Sequence, residues 1–344
     1  QRLVEVGWLA ELSPSAAVVP RVIPTAYQTG GDPRADHARI PSSAWAAARS
    51  ALATGPVLVQ VARPGYAPRL ACAQCGQTAR CRRCEGPLLQ RSARSTPSCA
   101  WCGALAIDWT CSQCAGHRLR LVGAAGASRT AEDLGRAFPG VRVVVADGDR
   151  PVQQLDDRPA LVVATRGAEP VARGGYRAVL LLDGEQMLAR ESLRVAEDCV
   201  RWWANAIALA APTAPTYLVG VGGSLARTVA SSGYSAFAAA ELADRRRLRF
   251  PPAVRVATLT GALEAVEAAV AAAGVDPGDV LGPVDVSPTT VRTIVRFDYA
   301  HGAEVASRLR AEVIRAAAAR RRSVSGGRPA TVPLRVHLDD IEPF

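Results

Sequence analysis

The chain has 344 residues, a formal net charge of +10 and 49% hydrophobic residues, enough for about two domains with real cores plus a small module. No charge-free run of about 18 apolar residues occurs, so no membrane span is expected, and no secretory leader is visible. All 41 basic residues are arginine. Arginine pairs bidentately with phosphate and stacks on bases, so the charge points to a nucleic-acid partner; the plainer reading is a solvated basic surface.

The chain opens on Gln1 and not on Met, which reads as a piece of a longer protein whose upstream part is out of view. Leu3 to Leu12 carries apolar residues near helical spacing, then Pro14, Pro20, Pro24, Gly30, Gly31 and Pro33 break the pattern. Pro41-Ser-Ser43 predicts the start of a helix over about Ala44 to Ala53, and Gly55-Pro56 ends it. Pro56 to Ala62 is a β-branched apolar run and predicts a buried strand.

Four Cys-x-x-Cys pairs follow: Cys72/Cys75, Cys81/Cys84, Cys99/Cys102 and Cys111/Cys114. Two intervening residues let both thiolates of a knuckle face one tetrahedral metal, so eight cysteines make two structural Cys₄ zinc sites with no open ligand position. Gly76, Gly86, Gly103 and Gly116 follow the pairs and are expected to supply the positive-φ turns. Disulfides or free buried thiols are the bland alternative, and paired knuckle spacing argues against both. Spacing alone leaves sequential and nested pairing open. Such clustering, with Cys199 left over, suits a reducing cytoplasm. Cys199 itself is expected to be a buried structural thiol.

Arg82, Arg83, Arg91 and Arg94 lie between the knuckles, and Trp101 and Trp109 flank the last two. Arginines mixed with aromatics suit DNA contact through charge and stacking. The competing reading packs both tryptophans into the small module core.

From Leu119 strand-like and helix-like stretches alternate. Strands are predicted at Leu119–Val122, Val141–Ala146, Ala160–Ala164, Ala178–Leu182 and Thr216–Val221, with helices at Ala131–Phe138, Ser192–Ala210 and Ser235–Arg247. The alternation predicts a parallel α/β sheet, with its functional edge at the strand carboxyl ends near Thr165 and Asp183. Phe250-Pro251-Pro252 marks a boundary. Beyond it a smaller α+β unit is predicted: strands at Arg255–Leu259, Thr290–Phe297 and Leu334–Leu338, helices at Ala262–Ala273 and Ala303–Arg320, and a linker over Ser323–Pro329. Arg320, Arg321 and Arg322 suit either the negative end of the helix dipole or DNA.

Val59-Gln-Val-Ala-Arg-Pro-Gly-Tyr-Ala-Pro68 running straight into the four knuckles resembles the primosomal protein N′ (PriA) family of replication-restart helicases. Gly126-Ala-Ser-Arg129, Glu132-Asp-Leu134, Phe138-Pro139, Asp147-Gly-Asp149, Glu241 through Pro252, Leu281-Gly-Pro283 and Asp339 to Pro343 fall in the family's order. The resemblance implies the end of helicase lobe 1 and a linker over 1–55. It further implies a RecA-like helicase lobe 2 over 56–250, a double zinc module inserted at 72–116, and a C-terminal α+β domain over 251–344. It also implies nested zinc pairing, with Cys72, Cys75, Cys111 and Cys114 on one ion and Cys81, Cys84, Cys99 and Cys102 on the other. Forked DNA, single-strand DNA-binding protein and the replicative helicase with its loader are the implied partners, at the nucleoid.

The chain departs from the family where the motor needs arginines. The family's Gln-Val-Ala-Gly-Arg-Ala-Gly-Arg falls on Asn205 to Pro212, which puts Leu209 and Pro212 at the two arginine positions. Thr165-Arg-Gly-Ala-Glu-Pro170 also lacks the family's Lys-Gly. An arginine finger contributes orders of magnitude to phosphoryl transfer. The expectation is therefore a fork-binding protein with a degenerate ATPase motor and no catalytic residues. The runner-up is an active ATP-dependent 3′-to-5′ DNA helicase, with Arg166, Arg173 or Arg201 taking over.

Overall fold

The structure, a computed structural model, describes residues 2–8, 20–28, 39–62, 69–90, 96–99, 102–122, 127–190, 192–325 and 332–340. It divides into two compact units, Pro14–Tyr234 and Gln1–Ser13 with Ser235–Phe344.

The larger unit opens with β1 (Val22–Pro24), α1 (Ser42–Ala51) and β2 (Val57–Val61). A cysteine-rich module then interrupts the sheet with β3 (Arg69–Cys72), β4 (Leu88–Leu89), β5 (Ser98–Cys99) and β6 (Leu119–Val122). The sheet resumes through α2 (Ala127–Ala137), β7 (Val143–Ala146), β8 (Leu161–Thr165), β9 (Ala178–Leu181), α3 (Val195–Ile207), β10 (Thr216–Leu218) and α4 (Gly223–Ala230). Its strand order is β1-β10-β9-β2-β8-β7, and every pairing is parallel.

Parallel strands are joined by crossovers that cover both faces, so the central strands bury residues of either parity. All residues of β2, β8 and β9 are buried. On one face Ala44, Ala48 and Leu52 around α1 and Ala131, Leu134 and Phe138 around α2 pack on Val57, Val59, Leu161 and Leu180. Trp45 meets Phe138 there with ring centroids 4.5 Å apart. On the other face α3 lies over Gln60, whose amide Nε2 donates to the Trp202 carbonyl. The result is three layers, helix, sheet and helix.

Two boundaries differ from the sequence expectation. Within 1–55, Val22–Pro24 pairs with Thr216–Leu218 as the sheet's edge strand, and α1 is part of the larger unit's core. A three-residue strand among prolines is too short to show a period of two. The second boundary falls ahead of the Pro251-Pro252 step, because helix α5 (Tyr234–Leu248) goes with the smaller unit.

The smaller unit continues with β11 (Arg255–Gly261), α6 (Leu263–Ala273), β12 (Val280–Ser287), β13 (Thr290–Phe297), α7 (Gly302–Ser325) and β14 (Arg335–Leu338). The four strands form an antiparallel sheet in the order β12-β13-β11-β14. Val266 and Ala269 of α6 and Val305 and Leu309 of α7 pack on Ala257, Leu259, Val291 and Val295, so both helices cover the same face. Strand β12 escaped the sequence reading because Gly282 and Pro283 interrupt it; it is an edge strand with two register shifts, where proline is tolerated. Helix α7 runs to Ser325, into the predicted linker, whose remaining residues lie outside those described. Among the described residues no helix is long and apolar enough to cross a membrane.

Candidate metal centres and sheet edges

Antiparallel pairing explains which knuckles meet. Strand β3 pairs with β6 so that Cys72 lies opposite Leu119, which brings the first knuckle beside the fourth. Strand β4 pairs with β5, with Leu88 opposite Cys99, and this joins the second knuckle to the third. Two nested groups result, Cys72, Cys75, Cys111 and Cys114, and Cys81, Cys84, Cys99 and Cys102, each with its sulfurs within 4.8 Å of one another. Sequence spacing had left this pairing open, and the resemblance had implied it.

One turn is built four times. The amide of the fourth residue after each leading cysteine donates to that cysteine's carbonyl: Gly76 to Cys72, Glu85 to Cys81, Gly103 to Cys99 and Ala115 to Cys111, at 2.9–3.1 Å. All four donors have positive φ, from 55° to 80°. Glycine fills only two of these positions. Gly86 and Gly116 sit one residue later, where their carbonyls accept from the amides of Cys81 and Cys111. The expectation that four glycines make the four turns is corrected accordingly.

The donor set fits zinc. Closest sulfur separations are 3.5 Å for Cys72–Cys114, 3.6 Å for Cys75–Cys111, 3.7 Å for Cys81–Cys102 and 3.4 Å for Cys84–Cys99. A tetrahedron with Zn–S bonds of about 2.3 Å has edges of about 3.8 Å. Backbone amides stabilise the thiolates: Arg83 N–H lies 3.3 Å from Cys81 Sγ and Gln113 N–H 3.4 Å from Cys111 Sγ. The Cys75 amide is the main cause holding the Cys72 thiol down at about 6, and the Arg83 amide that holding Cys81 at about 7. The Cys111 thiol is lowered by the Cys114 amide. The core around the sulfurs is only Leu70, Ala79, Leu88, Trp109 and a few small neighbours, too little to hold a fold without a further bond.

The predicted DNA-contact residues divide three ways. Arg82 and Arg83 are exposed on the second knuckle. Arg91, Arg94 and Trp101 lie outside the described residues. Trp109 is 6% exposed, and its indole N–H donates to the Arg80 carbonyl at 3.0 Å. Its ring is a core wall with no free face for a base, so the expected stacking role is corrected. Exposed Arg80, Arg118 and Arg120 extend the basic surface.

The carboxyl edge of the parallel sheet is closed by an ion pair that sequence reading missed. Asp183, just after β9, is left-handed at φ 60°, and its side chain is 1% exposed. Both carboxylate oxygens accept from Arg39, Nε at 2.8 Å and Nη2 at 2.7 Å, while Arg39 Nη1 donates to Thr130. The Ala62 amide donates to the same carboxylate at 3.2 Å. Thr165 is 1% exposed. The strand carboxyl ends near Thr165 and Asp183, expected as the functional edge, hold this ion pair.

The Leu209–Pro212 stretch lies at the opposite, amino edge. The Tyr176 amide donates to the Leu209 carbonyl at 3.0 Å and the Ala211 amide to the Tyr176 carbonyl at 2.9 Å. Gly175, at φ 77°, lets them close up: a Cβ there would sit 2.7 Å from Ala211 N. Of the three substitute arginines, Arg166 stacks on the Trp202 ring with its guanidinium carbon 3.6 Å from the centroid, and Arg201 pairs with Asp198. Arg173 is exposed in the turn leading to Gly175, so it alone shares an edge with Leu209 and Pro212.

A parallel α/β unit with a double Cys₄ insertion, followed by a small α+β unit, sets the class of the molecule. A family profile described as the primosomal protein N C-terminal domain matches residues 246–341. "Probable replication restart protein PriA" of Mycobacterium bovis is 42% identical over 345 aligned residues, covering 90% of this chain and 52% of that protein. The protein of that name from Mycobacterium leprae is 44% identical over 84% of this chain and 46% of its own length. "Replication restart protein PriA" of Thermotoga maritima is 34% identical over 26% of this chain and 12% of its length. The chain belongs to the PriA family of replication restart proteins. It spans about half the length of these mycobacterial relatives.

Proposed function

We propose that this chain is the part of a replication-restart protein that recognises stalled or branched replication forks and helps to reassemble the replisome without unwinding DNA by ATP hydrolysis. On this reading the parallel sheet is a second helicase lobe kept as a scaffold. The two cysteine groups hold one zinc each, and their chemical part is to fix the knuckles. Arg82 and Arg83 then stand on a rigid loop and meet phosphate, with Arg91 and Arg94 as further contacts. Single-strand DNA-binding protein and the replicative helicase with its loader are the protein partners, in the cytoplasm at the nucleoid.

The observation that carries the loss of motor chemistry is the amino edge. Leu209 and Pro212 offer no cation, and the backbone from Leu209 to Ala211 is held against Tyr176 and Gly175. The placement of Arg173 favours the second reading, an active 3′-to-5′ helicase in which that guanidinium reaches the γ-phosphate.

Fork recognition is tested by anisotropy of a labelled fork with the full-length protein across a salt series. Each phosphate neutralised on duplex adds about 0.9 to the slope of log affinity against log salt. The reading expects a steep slope that shrinks by about 2 in R82A/R83A, since two contacts are lost. A salt-independent affinity, or none, contradicts it.

A further inference from the structure

The two cysteine groups differ in how far solvent reaches their sulfurs. In both, the leading cysteine of each knuckle is buried: Cys72 and Cys111 in the first group, Cys81 and Cys99 in the second. In the first group both trailing cysteines, Cys75 and Cys114, are exposed. In the second only Cys102 is exposed, and Cys84 is half-buried. Each exposed sulfur of the first group has a buried one from the other knuckle beside it. Cys72 Sγ lies 3.5 Å from Cys114 Sγ, and Cys111 Sγ lies 3.6 Å from Cys75 Sγ. The second group holds one such pair, Cys81 with Cys102 at 3.7 Å; its other close pair, Cys84 with Cys99, has no exposed member.

The first group also stands at the root of the module. Strand β3 ends on Cys72, and β6 starts at Leu119, shortly after Cys114. Its surroundings are basic. Arg118 and Arg120 are exposed, and the Arg120 guanidinium reaches the turn of the first knuckle, where a Cβ on Gly76 would stand 3.7 Å from its Nη2. A cation beside a sulfur favours the thiolate, which is the form that oxidants attack.

We propose that the group of Cys72, Cys75, Cys111 and Cys114 is an oxidant-sensing site, which a peroxide oxidises ahead of the second group and which then gives up its zinc. An exposed thiolate, Cys114 or Cys75, attacks one peroxide oxygen. The O–O bond breaks, an S–O bond forms, and hydroxide leaves. The buried thiolate beside it, Cys72 or Cys111, attacks that sulfur; the S–S bond forms, the S–O bond breaks, and a second hydroxide leaves. Two electrons pass from the sulfurs to the peroxide, and two protons from solvent turn the hydroxides into water. Two of the four metal ligands are then spent, and a two-ligand remnant cannot keep the ion. The second group stays closed, so Arg82 and Arg83 keep their knuckle while the root beneath it loosens. On the fork-binding reading, on which this consequence alone rests, oxidation weakens fork recognition reversibly.

The test treats the zinc-loaded full-length protein with hydrogen peroxide. It reads released zinc with a chromogenic chelator, disulfides by peptide mass mapping and fork affinity by anisotropy. One zinc per chain should be released in a fast phase, roughly tenfold or more ahead of the other, because thiolate oxidation follows exposure. Mapping after that phase should find Cys72–Cys114 or Cys75–Cys111, with Cys81, Cys84, Cys99 and Cys102 still reduced. Fork affinity should fall by about fivefold or more as the metal-held root opens, and return with dithiothreitol and zinc. Cys84→Ser, left with the first group alone, should keep the fast phase, and Cys114→Ser should lose it. Equal release from both groups, a first disulfide in the second group, or a fast phase that survives in Cys114→Ser overturns the site. The expected release and disulfide with unchanged fork affinity overturns the switch. If the reduced protein binds no fork, the fork-binding reading falls, and the zinc and disulfide readouts still decide this site.

Discussion

Asp183 and Arg39 show what one residue decides here. A carboxylate 1% exposed at a strand's carboxyl end is tolerable only if its charge is met. Arg39 meets it with two parallel hydrogen bonds. Among the described residues Arg39→Ala leaves the carboxylate with the Ala62 amide alone, and removing one partner of a buried pair costs about 3–5 kcal/mol. Arg39 is itself about a third exposed, so a loss near the lower limit, about 3 kcal/mol, is expected in urea unfolding. A loss under about 1 kcal/mol, the worth of a surface pair, contradicts the account. Gly175→Ala should also destabilise, by about 2 kcal/mol, from a left-handed alanine whose Cβ meets the Ala211 backbone; a neutral result would mean the amino edge is loose. Glu169 gives a pH signature. Burial is the main cause raising its carboxyl above the ordinary range, against stabilising bonds from Gln60 and the Gly167 amide. The folded state therefore keeps a proton that the unfolded chain has released. That contribution is fully present below the ordinary glutamate value and is lost as pH rises through the raised one. Glu169→Gln should flatten stability against pH across that window, while parallel curves for the two proteins would remove the claim.

At the scale of elements, composition told most where chemistry is local. Cys-x-x-Cys announces a knuckle because two intervening residues fix the sulfurs, and all four appear as the same turn. Pairing between knuckles depends on which strands bond, so spacing left it open. The strands β2, β8 and β9 were visible as β-branched runs because both their faces are buried. Strands β1 and β12 were not, since a three-residue edge and a proline-bearing edge carry no period. Arg39 was invisible for a related reason: its partner lies 144 positions away. Trp109 was read in two ways, and burial decided between them. The element-scale prediction is metal removal. The full-length protein should bind two zinc ions per chain, and Cys84→Ser should reduce this to one. A chelator should open the module to trypsin at Arg80, Arg82 and Arg83, because the small core cannot persist without the metal bonds. Full protection of those sites in the zinc-free protein would contradict a metal-held module.

On the proposed reading, the question for the whole molecule is whether a lobe kept as a scaffold still works as a motor. Fold and chemistry separate easily here, because a lobe needs its buried strands to stand and its edge arginines only to act. On the proposed reading Leu209 and Pro212 stand where a motor of this family has arginines and put no cation there, while Leu209 and Ala211 bond to the Tyr176 backbone. Arg173 is the residue whose place in the fold would allow recovery of that charge. The direct measurement is steady-state ATP turnover by the full-length protein, with and without a branched fork, under conditions where fork binding is saturated. The account predicts tight fork binding with no fork-stimulated hydrolysis, and no change in Arg173→Ala. Fork-stimulated turnover at a motor-like rate, abolished in Arg173→Ala, would contradict it and make this chain part of a working helicase.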